Sequence, residues 1–181
     1  MHGYDAKDLG RSFRTVRQNT IQIAEEIPED KYSFHPAEGA RSIAETLRHI
    51  ALAPMWGIQV HGERITQLNM EMFKEGMAKM AVAEAALVTK SDIIAALKEN
   101  GDTYATFLEG LSDEVLAEHV TFAAPGSPTK TRFEMVLSAK EHEMHHRAQL
   151  MLVERMLGIV PHLTRAMQER MAAMTAAAAK N

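Results

Sequence analysis

The sequence predicts an all-α fold, a bundle of four long helices with a crossover segment and an extra C-terminal helix. The composition favours helices, because hydrophobic residues make up 46% of the 181 residues and aromatic residues only 6%. Apolar residues also recur at steps of three and four, as on the buried face of an amphipathic helix. No repeat or change of composition divides the chain, so residues 1–181 are expected to form one domain.

The first two helices are delimited by their ends. The first is expected over Asp5–Ile27, and Pro28 follows it. The second is expected to begin at Ser42, which stands with Glu45 at the spacing of a capping box. It should run to about Val60, with a kink at its internal proline, Pro54.

The remaining helices follow a less regular stretch. Residues 67–90 fit either a short helix or an irregular crossover, and the third helix is expected over Ser91–Leu111 with Ser91 as N-cap. Residues 119–129 contain two prolines and a glycine and predict a loop or a short hairpin. The fourth helix is expected over Lys130–Leu157, ending at Gly158, and a fifth from Pro161 whose tail, about 165–181, frays.

Charge and composition exclude several classes of function. The formal net charge is -4, whereas a nucleic-acid-binding protein needs a basic face. The chain has no cysteine, which excludes disulfides, cysteine-ligated zinc and cysteine nucleophiles. The N-terminus lacks the apolar region of a secretory signal, and no run of about 18 apolar residues exists to span a membrane. A cytoplasmic protein is the expectation.

Three of the nine histidines lie together in the predicted fourth helix, at His142, His145 and His146. An α-helix turns by about 100° per residue, so His142 and His146 lie roughly 40° apart on one face and one turn apart along the axis. Their imidazoles are therefore close enough to bind one metal ion. His145 lies about 60° from His142 and would replace one of the two if the helix were rotated.

The same segment matches the HExxH pattern of zinc metalloproteases, in which the glutamate is the general base. Such enzymes find a third ligand further along the chain. Here only His162 follows, beyond Gly158 and Pro161, where the helix is expected to have ended. The match is therefore interpreted as a coincidence.

A third ligand must then come from another helix, and His49 is the best candidate. It lies within the second helix with Ala53, Trp56 and Val60 following on its own face, and an inward imidazole needs a partner such as a metal ion. The other histidines lie near termini, in loops or at outward positions and are predicted to be surface residues: His2, His35, His61, His119 and His162.

Two segments resemble a known family. Residues 41–51, RSIAETLRHIA, followed by Trp56, resemble the second helix of DinB/YfiT-like proteins, and residues 142–150, HEMHHRAQL, resemble their fourth helix. The resemblance implies a four-helix bundle holding a divalent ion, commonly nickel or zinc, on His49, His142 and His146. It also implies a homodimer. Two departures are Ala148, where the family usually has glycine, and a tail beyond Pro161 that is longer than the family pattern needs and would suit dimerisation.

Further residues are expected around the metal. A metal-bound imidazole usually donates its other N–H to a carboxylate or carbonyl, and Glu45 and Gln149 lie nearest to His49 and His146 along their helices. His145 is assigned to the same surroundings. Trp56 is expected either to line a cavity or to serve as an ordinary core aromatic residue.

Three functional hypotheses follow. The first is a metal-dependent enzyme of the thiol S-transferase or hydrolase type acting on a small molecule, because a metal lowers the pKa of a bound water or of a low-molecular-weight thiol. The second is a non-catalytic, metal-stabilised stress-response or binding protein, in which His145 or a glutamate would close the site as a fourth ligand. The third is a plain helical scaffold with histidines used for packing.

Overall fold

The computed structural model describes residues 3–123, 126–127 and 129–179. Seven helices and three short strands make up this part of the chain, with one turn of 3-10 helix at Glu29–Lys31. In chain order they are α1 (Ala6–Glu26), α2 (Ile43–Gly62), β1 (Gln67–Leu68), α3 (Met70–Ala86), α4 (Lys90–Glu109), α5 (Asp113–Ala117), β2 (His119–Phe122), β3 (Thr129–Thr131), α6 (Arg132–Met156) and α7 (His162–Ala178).

Four of these helices form the bundle, and they do not follow one another around it in chain order. Helices α1 and α2 each pack against both α4 and α6, so α1 and α2 lie at opposite corners. Helix α3 packs on the outside of α2, and α7 contacts α1. The predicted four-helix bundle with a crossover segment and an extra C-terminal helix is confirmed.

Side-chain caps fix the ends of the first two helices where the sequence predicted them. The Asp5 side chain accepts a hydrogen bond from the Asp8 backbone N–H at the start of α1. At the start of α2, Ser42 and Glu45 form the expected capping box, with the Ser42 backbone N–H 2.7 Å from Glu45 Oε2. Pro54 lies inside α2, which continues past it.

Other boundaries differ from the sequence prediction. Helix α4 begins at Lys90 and its N-cap is Thr89, not Ser91, because Thr89 forms the capping box with Asp92. The ambiguous residues 67–90 contain β1 and the 17-residue helix α3. Helix α7 continues to Ala178, beyond residue 165, from which the tail was expected to fray.

A small sheet interrupts the otherwise helical chain. Strand β1 pairs in parallel with β2, and β2 pairs antiparallel with β3, so the hairpin predicted as one alternative for residues 119–129 is confirmed. The two prolines of that segment, Pro125 and Pro128, lie outside the described residues. Among the described helices, none is long and apolar enough to cross a membrane.

The bundle core contains two apolar clusters separated by a buried ion pair. One cluster is centred on Ile23, Leu47 and Leu97 and the other on Phe13 and Tyr104. Arg17 and Glu143 form this pair. Along α1 and α6, each of the two residues lies between residues of one cluster and residues of the other. This polar layer is at the level of the bundle where the candidate site lies.

Candidate metal centre

The structure brings His49 of α2 together with His142 and His146 of α6. His49 Nε2 lies 3.0 Å from His142 Nε2, and His146 Nε2 lies 3.2 Å from the same atom. One nitrogen from each residue lies within 4.8 Å of the others, a grouping that could hold a metal ion. Adjacent nitrogen ligands at about 2.0–2.1 Å from one ion would be separated by similar distances. His145 does not join this grouping.

The hydrogen bond of His146 Nδ1 supports the same conclusion. His146 Nδ1 lies 2.8 Å from Gln149 Oε1, which can only accept, so the proton of a neutral His146 is on Nδ1. Its Nε2 lone pair is then directed at His142. His142 Nε2 lies within 3.2 Å of both other Nε2 atoms but carries at most one proton, so a shared cation would satisfy all three ring nitrogens better than one N–H can. The three residues therefore fit a divalent ion.

Burial keeps these imidazoles in the neutral form that a metal requires. Burial lowers the pKa of His49 to about 4, with a further contribution from the positive charge of Arg41. Burial also lowers the pKa of His142 and His146 below the ordinary histidine value. Metal ligands must be deprotonated, so binding at neutral pH would not need to displace protons from this cluster.

A cavity of about 410 Å³ extends from the histidines along the inner side of α2. His49 and His142 form one part of its wall, and most of the remainder is apolar or aromatic. The apolar wall residues include Trp56, Phe73, Met77, Met80 and Met135. Because ligand pockets commonly measure about 300–1,000 Å³, this cavity is large enough for a small molecule beside the cluster.

A second cavity, of about 520 Å³, borders the cluster on the side of His146. Arg41 and Gln149 line it together with His146. No ion pair involves Arg41 within residues 3–123, 126–127 and 129–179, and its charge acts on all three histidines. The cluster is thus bordered by an apolar cavity on one side and a more polar cavity on the other.

Of the other predicted site residues, some lie beside the histidine cluster or its cavity and one does not. Gln149 contacts His146 as described, and Trp56 lines the apolar cavity. His145 is exposed, and its Nε2 lies 3.2 Å from Gln149 Nε2. The prediction that Glu45 is a partner of His49 was wrong, because the Glu45 carboxylate caps α2 at Ser42.

The acidic group that faces His49 is Glu84 of α3, which the sequence analysis missed. Its Oε1 lies 3.6 Å from His49 Nδ1, just outside hydrogen-bond distance, and burial raises the pKa of its carboxyl group. Spacing along the chain could not reveal this residue, because it belongs to the crossover segment. Glu84 lies beside His49 because α3 packs against α2, a contact between separate helices.

The glutamate of the HExxH match points away from the three imidazoles. Glu143 is buried, and both of its oxygens accept from Arg17 Nε, at 2.9 Å and 3.1 Å. Arg17 also donates to the backbone carbonyls of Leu97 and Ile50, so this one side chain connects all four bundle helices. A carboxylate held in this way is not available as a general base at the cluster, which agrees with the interpretation of the match as a coincidence.

Two histidines predicted to lie on the surface are buried. His61 is 4% exposed because β1 and the start of α6 cover the end of α2, and Arg132 contacts its ring. His162 is buried because α7 returns onto α1, where its Nε2 lies 3.1 Å from Asn19 Oδ1. His35 and His119 are exposed as predicted, and His2 lies outside the described residues.

Comparison with known proteins identifies the family. The model of the DinB superfamily matches residues 12–150, which is more than half of the chain and includes all three clustered histidines. The chain belongs to the DinB superfamily. YjoA of Bacillus subtilis, an uncharacterized protein, is 25% identical over 146 residues, which cover 81% of this chain and 86% of YjoA.

Solved structures of DinB-like proteins share the fold. The crystal structure of YjoA superposes with a TM-score of 0.62 at 27% identity, covering 83% of this chain and 91% of YjoA. YfiT from Bacillus subtilis, described as a probable metal-dependent hydrolase with an unusual four-helix bundle topology, gives a TM-score of 0.67 at 15% identity, covering 88% of this chain and 91% of YfiT. A DinB-family protein from Exiguobacterium sibiricum gives a TM-score of 0.60 at 21% identity, covering 87% of this chain and 94% of that protein.

Proposed function

We propose that this DinB protein is a metal-dependent enzyme that promotes attack of a water or thiol nucleophile on a small electrophilic molecule. The observation that carries the proposal is the convergence of His49, His142 and His146 beside an apolar cavity, without a fourth histidine or carboxylate in the group among the described residues. Three protein ligands with remaining open positions are typical of a catalytic site, whereas four typically close a structural one.

The chain's own residues have separate parts in this proposal. His49, His142 and His146 would hold a divalent ion, nickel or zinc, and a bound ion supplies Lewis acidity that lowers the pKa of a water or thiol nucleophile. Gln149 Oε1 accepts a hydrogen bond from His146 Nδ1–H and so fixes the orientation of that ring. Trp56 and Phe73, in edge-to-face contact with ring centroids 6.1 Å apart, would pack against an apolar part of the substrate.

Each of the two candidate reactions has its own support. Hydrolysis agrees with the description of YfiT as a probable metal-dependent hydrolase, a protein of the same fold. Thiol transfer is favoured by the second cavity, since a thiol cofactor with anionic groups could bind beside Arg41 while its acceptor occupies the apolar cavity. The exposed position of His145 argues against the alternative of a closed, non-catalytic site.

The test is a screen of zinc- and nickel-loaded protein against activated esters and amides, and against electrophiles with low-molecular-weight thiols. We expect metal-dependent turnover in one of the two sets, abolished in His142→Ala and retained in His35→Ala, a variant at an exposed histidine. Turnover that is equal in wild type and His142→Ala would contradict the proposal. So would the absence of turnover from both sets.

We further propose that the protein forms a homodimer through α7. Met167, Met171 and Met174 are spaced to lie on one face of this helix, and each is at least half exposed. Sedimentation velocity at micromolar concentration should show a dimer for wild type and a monomer for Met167→Glu/Met171→Glu. The control is Val82→Glu/Val88→Glu, at exposed apolar positions elsewhere. A monomeric wild-type protein would refute the dimer.

A further inference from the structure

The apolar cavity contains two buried polar side chains away from the histidine cluster. His61 and Tyr104 both line it, and each is at most 4% exposed to solvent. Both lie beside Gly57, where an added Cβ would be 3.6 Å from Tyr104 Oη and 3.9 Å from His61 Cδ2. His61 is twelve residues beyond His49 in α2, a rise of about 18 Å, so the two groups lie at the opposite end of the cavity from the cluster.

The hydrogen bonding of His61 determines which ring nitrogen carries the proton. Arg132 Nη1 lies 3.2 Å from His61 Nδ1, and a guanidinium group can only donate. Nδ1 therefore accepts, and the proton of the neutral ring is on Nε2. Burial and the charge of Arg132 lower the pKa of His61 to about 4, so the ring is neutral at physiological pH.

Arg132 is itself held firmly, so this arrangement is fixed. Its guanidinium is fully buried and donates to the backbone carbonyls of Val60 and Ile65 and to Glu118. Tyr104 is also well positioned, because its ring packs on Phe13 with centroids 4.9 Å apart. Within the described residues, no protein group pairs with His61 Nε2 or with Tyr104 Oη. Both side chains line the cavity, so water or a ligand group there can supply a partner.

We propose that His61 Nε2–H and Tyr104 Oη–H form a subsite that binds a neutral acceptor oxygen of the substrate, such as a ketone, ester or amide carbonyl. No charged side chain lines the cavity among the described residues, which disfavours an ionic ligand at this end. The substrate class is therefore an elongated, mainly apolar carbonyl compound. Its acceptor oxygen binds between His61 and Tyr104, while its apolar body lies against the methionines and Trp56.

This inference rests on the proposed function for the identity of the cavity as a substrate site, and its test is independent of turnover. Trp56 is the one tryptophan of the chain and lines the cavity, so its fluorescence reports ligand entry. The probes are 4-phenylbutan-2-one and butylbenzene, a ketone and a hydrocarbon of similar shape. They are titrated into the full-length protein, once as purified and once with added zinc.

We expect wild type to bind the ketone more tightly than the hydrocarbon, and Tyr104→Phe to reduce that preference by about threefold to tenfold, the effect of one hydrogen bond. Tyr32→Phe is the matched control, because the Tyr32 hydroxyl donates to the Ala24 carbonyl outside the cavity. His61→Leu should reduce the preference similarly, and His61→Gln should retain it, since an amide can accept from Arg132 and donate to the ligand. If Tyr104→Phe does not fold, the comparison of His61→Leu with His61→Gln still tests the subsite.

Equal affinity for the two probes, or no binding of either, would overturn the subsite. A ketone preference that is unchanged in both Tyr104→Phe and His61→Leu would overturn it as well. The outcome is separable from that of the proposed function. A ketone preference in protein that shows no metal-dependent turnover would leave the subsite standing and remove the proposed reaction, and turnover without the preference would do the reverse.

Discussion

At the scale of single residues, the buried pair of Arg17 and Glu143 connects the bundle. Arg17 is 3% exposed and reaches carbonyls of α2 and α4 as well as Glu143 of α6. Gly101 leaves room for it, because a Cβ there would lie 2.6 Å from Arg17 Cγ. Removing one member of a buried ion pair leaves the other charge without compensation.

We therefore expect Arg17→Ala to lower the free energy of unfolding by about 3–5 kcal/mol, measured by urea denaturation. The matched control is Arg14→Ala, one turn earlier in α1, whose ion pairs with Asp102 and Glu109 are at the surface and should contribute less than about 1 kcal/mol. Equal losses in the two variants would show that the buried pair has no special role.

Glu154 is another buried ionisable group, located where α6 meets α1 and α7. It is fully buried, and within the described residues neither carboxylate oxygen has a hydrogen-bond partner. Burial, together with the nearby charge of Glu26, raises the pKa of Glu154 to about 7. In the unfolded chain a glutamate has a pKa of about 4.3, so between these values the folded protein binds more protons than the unfolded one.

Stability contributed by this group should therefore fall as the pH rises from about 4.5 to 7. Glu154→Gln cannot ionise, so its free energy of unfolding relative to wild type should increase by roughly 3 kcal/mol between pH 5 and pH 8. Denaturant titrations at the two pH values measure this difference. The exposed control, Glu75→Gln, should show no such change. A difference for Glu154→Gln that does not depend on pH would contradict the assigned pKa.

At the scale of elements, α3 differs from the bundle helices. None of its residues is buried, yet it contributes Phe73 and Met77 to the cavity wall and Glu84 to the surroundings of His49. Gly76 permits its close approach to α2, because a Cβ there would lie 2.8 Å from Trp56 Cδ1. Helix α3 therefore covers the site while burying little surface of its own.

Hydrogen exchange should detect this weak attachment. We expect the backbone amides of α3 to exchange faster than those of α2 and α4, because local opening costs less where few apolar contacts are lost. Mass spectrometry of peptides from 70–86, 43–62 and 90–109 gives the comparison. Protection of α3 equal to that of α4 would mean that the cover over the cavity is as stable as the bundle itself.

The sequence predicts an element well when the residues that define it are close together along the chain. The start of α2 was predictable because Ser42 and Glu45 lie within one turn of each other. Helix α3 was predicted only as one of two alternatives for its segment, since it buries no residue and so lacks a clear apolar stripe. The same limit explains the candidate site: His142 and His146 are one helical turn apart, whereas the roles of Glu84 and His61 depend on contacts between distant segments.

At the scale of the whole molecule, the order of the helices around the bundle creates the site. Because α2 and α6 are neighbours and α1 is diagonal to α2, His49 meets the histidines of α6 across the bundle interior. The cavity then extends along α2 from these imidazoles to His61 and Tyr104. In the proposed function, this single cavity has the metal-binding residues at one end and the acceptor-binding pair at the other.

We propose that His49, His142 and His146 together bind one divalent ion. Elemental analysis of protein loaded with zinc or nickel and then desalted tests it most directly, comparing wild type with His49→Ala, His146→Ala and the exposed control His35→Ala. We predict about one ion per chain in wild type and His35→Ala, and loss of nearly all metal from the other two. Stoichiometric metal in both His49→Ala and His146→Ala, or no metal in wild type, would contradict the claim.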